Sequence, residues 1–150
     1  MQKLTTILSL LLLPIWLMAG NDLTKGFVQG NPEIASINAL AFGPEGILFV
    51  GDSKNAAIYA IDTKDKTESP APENMSVEKL DVMIANKLGT TSSEISIQDM
   101  AVNPLSNKVY LAVHHQDGKP MLVVVGVDKE LSFMSLEDVS YSKKEIATVL

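Results

Sequence analysis

The sequence predicts an all-β fold interrupted by one short helix. Three observations carry this. Short apolar runs alternate with turns that hold Pro, Gly and Asn. The same order of runs and turns occurs twice, at an offset of 60 residues. Between the two occurrences lies one stretch with helical rather than strand spacing.

The elements follow in order. Residues 1–22, "MQKLTTILSLLLLPIWLMAGND", hold Lys3, an apolar run from Leu4 to Met18, then Ala19 and Gly20. A charged start, a short apolar middle and a small-residue exit make a signal peptide over 1–19, and hence an exported protein, periplasmic or secreted. The apolar run is short of the roughly 20 residues that span a bilayer and contains Pro14, so no stable membrane insertion is expected after cleavage. Residues 20–35, rich in Gly and Asn, read as a lead-in.

From Ser36 the pattern turns to strands: "SINALAF", "ILFVG" and "AAIYAI". "GPEG" between the first two reads as a type I β-turn, with Pro44 in the second position and Gly46 in the fourth. The second occurrence runs "SIQDMAV", "NPLSN", "KVYLAVHH", "QDGKP", "MLVVVGVD". Ile37–Pro44 lies over Ile97–Pro104, and the offset drifts only at turns, as loop variation should. A fourth strand is expected in each unit, "VEKL" (77–80) in the first and "LSFMSL" (131–136) in the second. The spacer "TKDKTESPAPEN" (63–74) reads as an exposed loop. "DVMIANKLG" (81–89) reads as a helix capped by Asp81, closed by Gly89, with Val82, Ala85 and Leu88 on one face.

Repeated units of this kind predict β-propeller blades, with the helix accounting for a period longer than a common blade. The expected organisation is a first blade over 36–80, the helix and its connection over 81–96, a second blade over 97–139, and the start of a further element over 140–150, cut short. Two four-stranded blades do not close a propeller, which takes 4–8. The chain is therefore expected to be a fragment of a longer propeller. Assembly from several copies, and a small two-sheet fold that only mimics the repeat, are the alternatives.

The first unit, "INALAFGPEGILFVGDSKNAAIYAID", resembles the NHL-type repeat and its relatives in gluconolactonase-like propellers, through Gly46, Val50, Asp52, Ser53, Asn55, Ile58 and Asp62. The second unit keeps the strands and Asp128 but has Val113-His114 in place of Asp52-Ser53. Residues 88–113 also resemble a segment of exported bacterial propeller-type proteins with no assigned activity. The resemblance, over about residues 36–139, implies a fold and leaves the activity open, because propellers host many functions.

Composition narrows the chemistry. The 150 residues carry a net charge of −6, and all 12 basic residues are Lys. An acidic chain without Arg is a poor partner for nucleic acid. The absence of Cys removes disulfides, thiolate metal sites and a thiol nucleophile. No EF-hand loop, P-loop, dinucleotide fingerprint or zinc pattern occurs.

Three residues remain as candidates to line a ligand site or channel. Asp52 ends a strand beside Ser53; the alternative is an Asp that shapes its turn. Asp99 falls among apolar residues of an inner-type strand, where its repeat counterpart is Ala39; the alternative is a paired structural acid. His114 offers an acid or base, but His114 and His115 point to opposite faces of a strand, so no metal is assigned to them. Two functions follow as expectations: a binding or scaffold module for an unidentified ligand or protein, or an extracytoplasmic enzyme of lactonase, hydrolase or quinoprotein type whose site later blades complete. The sequence names no cofactor.

Overall fold

Pro44 and Gly46 turn the chain between "SINALAF" and "ILFVG", but not as a type I turn. Glu45 and Gly46 both adopt left-handed backbone, φ 54° and 72°, and the Gly43 N–H closes the turn on Ile47 O at 2.8 Å. Glycine is required here twice over, by its positive φ and by a close approach: a Cβ on Gly46 would stand 2.9 Å from the carbonyl oxygen of Asp65. The spacer after the third strand thus presses on this turn, and Thr63 Oγ1 donates to Gly46 O at 2.7 Å.

The structure, a computed structural model, describes residues 22–146. The expected signal peptide lies outside the described residues. Among the described residues nine strands and one α-helix follow in chain order, besides two short 3-10 turns: β1 (Val28–Gly30), β2 (Ala39–Phe42), β3 (Ile47–Asp52), β4 (Ala57–Asp62), α1 (Leu80–Leu88), β5 (Ile95–Val102), β6 (Val109–His115), β7 (Pro120–Val125), β8 (Leu131–Met134) and β9 (Val139–Glu145). The protein is mostly β, in two antiparallel sheets. The first has the order β1-β9-β4-β3-β2 and the second β5-β6-β7-β8.

The fourth strand of the first sheet is not "VEKL". Residues 77–80 run through a turn into α1, with Lys79 in left-handed backbone just before it. The place beside β4 is taken by β9, which pairs Ile61 with Tyr141 and Tyr59 with Lys143. Residues 140–145, read from sequence as the opening of a further element, thereby complete a sheet begun more than a hundred residues earlier. "LSFM" does form the expected fourth strand of the second sheet, β8.

Period-two alternation sorts the side chains into layers. Leu48, Val50, Tyr59 and Ile61 of the first sheet meet Tyr110, Ala112, Leu122 and Val124 of the second. The intervening residues Leu111, Val113, Val123 and Val125 face the other way and pack with Ile84 of α1. Strands β6 and β7 are therefore buried on both faces, which is why "VYLAV" and "MLVVV" are nearly continuous apolar runs. The layers run first sheet, second sheet, helix.

Helix α1 buries Ile84 and Ala85, with Leu80 and Leu88 packed against the same cluster. Residues 80, 84 and 88 make an i, i+4, i+8 stripe; of the expected face Ala85 and Leu88 turn inward and Val82 is exposed. Gly89 closes the helix as expected, with φ 73° and its N–H on the last carbonyls. Asp81 is not the cap; it sits in the first turn, where a carboxylate still favours the helix dipole.

The outer face of the first sheet carries Ala39, Ala41, Phe49, Ile58 and Ala60, and both Phe49 (41% exposed) and Ile58 (45%) are open. Neighbours Leu48 and Phe49 test the register. Leu48→Ala should cost about 2–5 kcal/mol, because it leaves a cavity between the sheets. Phe49→Ala should cost under about 1 kcal/mol, because it truncates an exposed side chain. Urea unfolding of the two variants measures both; equal losses would contradict this pairing of faces.

Candidate functional site

The sequence candidates converge on one short stretch, residues 35–40, which leads into and along β2. Asp52, at the end of β3, is only 2% exposed. Its carboxylate accepts from Ala35 N (2.8 Å), Ser36 Oγ (2.7 Å), Lys54 N (3.0 Å), Asn55 N (3.1 Å) and Asn55 Nδ2 (2.9 Å). Beside it, Asn38 Oδ1 accepts from Ser53 Oγ at 2.6 Å. Burial pushes the Asp52 carboxyl up, but the hydrogen bonds from Ser36 and from the amides of Ala35, Asn55 and Lys54 outweigh it and hold it below the usual aspartate range.

Asp99 and His114 reach the same stretch from the second sheet. Asp99 Oδ2 accepts the Leu40 N–H at 2.8 Å, and Oδ1 accepts its neighbour Met100 N at 2.8 Å. A bulge in β5 makes this possible. Ile97 pairs with Val113, yet Asp99 pairs with Ala112, so Gln98 is an extra residue. Without it, Asp99 would stand opposite Leu111 and face the helix; the one-residue shift turns it toward the first sheet. His114 Nε2 accepts the N–H of Ile37, which is fully buried, at 3.0 Å. Burial, and then the Lys54 ammonium, hold the His114 ring below the ordinary histidine value.

All three candidates thus spend acceptor atoms on backbone or side-chain donors of the chain itself. His115 turns away, with Nδ1 3.2 Å from Asp117 Oδ1 in the following turn. Among the described residues, no three His, Asp or Glu side chains group as metal ligands.

A second polar centre escaped the sequence reading. Asp65 lies in the spacer expected to be an exposed loop, yet its side chain is only 8% exposed. It accepts from Ser106 Oγ (2.6 Å), Lys108 Nζ (2.9 Å), Tyr110 OH (3.0 Å) and Asn103 Nδ2 (3.1 Å). Burial pushes this carboxyl up; Ser106, Lys108 and Tyr110 more than compensate, leaving it low. Tyr110 moves the opposite way: burial and the adjacent Asp65 charge push its hydroxyl well above the ordinary tyrosine value. Nothing local marks Asp65, because its partners lie 38–45 residues further along the chain.

An open concavity lies elsewhere. A groove of about 410 Å³ runs between residues 31–34 and the ends of β7 and β8. Ile34, Met121, Leu122, Phe133, Met134 and Leu136 line it, with Glu33 and Lys119 among its polar groups. Sequence periodicity shows none of this, since these residues come from separate elements. Comparison with protein-family models, with curated proteins and with solved structures finds no match to this chain.

Removing either carboxylate leaves several buried or part-buried donors without their acceptor. Asp52→Ala and Asp65→Ala should each cost about 2–4 kcal/mol, against under about 1 kcal/mol for Asp128→Ala in an exposed turn. Both carboxyls are lowered in the folded state. Their stabilisation is therefore full above the ordinary aspartate value of about 3.9 and is lost as the pH falls below it. Denaturant midpoints between pH 7 and 3 should fall for the parent chain, and fall less steeply for either variant.

Proposed function

We propose that this chain is an exported binding module built from two propeller-type blades, which presents its apolar groove and the loops around it to a ligand or protein. The observation that supports binding over chemistry is the use of Asp52, Asp99 and His114. Each is committed to hydrogen bonds within the chain, whereas the groove offers open apolar surface, the usual character of a ligand site.

The blade reading rests on topology. Strands β2-β3-β4 and β5-β6-β7-β8 are each up-and-down meanders, and β2 and β5, the edge strands that open them, lie side by side. Both outer flanks carry uncovered apolar residues: Phe49 and Ile58 on the first sheet, and Ile97, Met100 and Val102 along β5. Neighbouring blades of a larger propeller would cover such faces. Helix α1 already occupies part of the second flank.

Export predicts a mature chain that begins at Gly20, which N-terminal sequencing of extracytoplasmic fractions would read. For binding, a naphthalene-type fluorescent probe should be taken up by the full chain and lost on Met134→Lys at the groove floor. A panel of lactones, with and without divalent cations, should give no turnover. Lactone turnover that disappears in Asp99→Asn would replace this reading with the enzyme.

A further inference from the structure

The joint between the sheets contains one bond that only an uncharged ring can make. His114 Nε2 receives the N–H of Ile37, so the lone pair on that nitrogen must be free and the ring proton must sit on Nδ1. A protonated ring carries hydrogen on both nitrogens. It would set N–H against N–H at a fully buried residue. From this geometry we propose that His114 is an acid-released latch, which holds Ile37, just ahead of β2, to the second sheet while neutral and lets it go when protonated.

The surroundings of the ring favour release. From the first sheet, the charged group near it is Lys54, in the turn after β3. Lys54 Nζ also reaches toward Gly118 in the β6–β7 turn. A second positive charge here is opposed rather than welcomed. On the flanking strands the residues in register are Ser96 of β5 and Pro120 of β7, neither of them titratable. The carboxylates of the adjoining elements are already engaged: Asp52 with residues 35, 36, 54 and 55, Asp99 with Leu40 and Met100, and Asp117 with His115 and Lys119. Burial and Lys54 hold the ring pKa low, so the neutral form belongs to the closed state.

The sign follows. A histidine with a lowered folded pKa leaves the closed state fully stable above its free value of about 6.5, and the closed state weakens as the pH falls below that. Asp99 keeps its grip on Leu40 over this range, because an aspartate stays ionised to much lower pH. Asp52 likewise keeps Ala35 and Ser36, so opening is local, confined to the tie at Ile37.

The test is an NMR titration of the full chain from pH 8 to 5, following both histidine rings and the exchange of the Ile37 and Leu40 amides. After correction for intrinsic chemistry, Ile37 exchange should rise by up to about tenfold per pH unit below pH 6.5, while Leu40 stays protected. His114→Gln supplies an amide oxygen that can accept from Ile37 and does not titrate. It should keep Ile37 protected at pH 8 and flatten the dependence. The latch is overturned if Ile37 protection does not change as the His114 ring titrates, if Leu40 opens in parallel, or if His114→Gln keeps the parent's pH dependence. Should the Gln variant not fold, the Ile37–Leu40 comparison in the parent chain decides.

Discussion

The Leu40 N–H points off the free edge of the first sheet, away from β3, where no strand offers an acceptor. An edge left in that state invites pairing with another chain. Here the second sheet covers it with side chains instead of backbone: Asp99 takes Leu40, His114 takes Ile37, and Asp52, from within the first sheet, takes Ala35 and Ser36. These bonds fix how the two sheets meet. That meeting in turn sets which faces of β3, β4, β6 and β7 are buried, and so the whole inter-sheet core.

A layered order follows from that joint. Strand β6 serves two clusters at once, Tyr110 and Ala112 toward the first sheet, Leu111 and Val113 toward the helix. Tyr110 also ties the core to the spacer. Its ring packs edge-on against Phe42 with centroids 4.9 Å apart, while its hydroxyl donates to Asp65. A long polar segment is thus anchored at the Asp65 carboxylate and again at Ser69, and where it passes the turn it leaves no room for a Cβ on Gly46. The joint, the core and the spacer are consequences of a few polar contacts made across long stretches of chain.

These polar contacts also change the meaning of the candidate residues. An acid among apolar neighbours, such as Asp99, attracts a functional reading because burying a charge is costly without a partner. The partners here are backbone amides, and a bulge aims the acid at them. Open apolar surface lies instead where side chains from several elements gather, in the groove beside Ile34 and Met134 and on the faces around Phe49 and Met100.

Local chemistry determined most of the secondary structure. Alternation placed β2 to β8 within a few residues, Gly89 closed the helix, and the pairing of turns with Pro44 and Pro104 marked the two meanders, because those signals depend on neighbours within a turn or a strand length. What local chemistry does not encode was decided by the tertiary structure. The partner of β4 proved to be residues 139–145, a segment with only Val139 and Tyr141 as apolar markers, and the sequence pointed to 77–80 instead. Of the expected helix face Ala85 and Leu88 do turn inward, but Leu80 and Ile84 take the place of Val82 because the second sheet lies on that side. Asp65 became buried because Ser106, Lys108 and Tyr110 arrive from another strand and its turn. Periodicity reports which residues seek burial; only the closed fold settles what they are buried against, since that contact joins residues tens of positions apart.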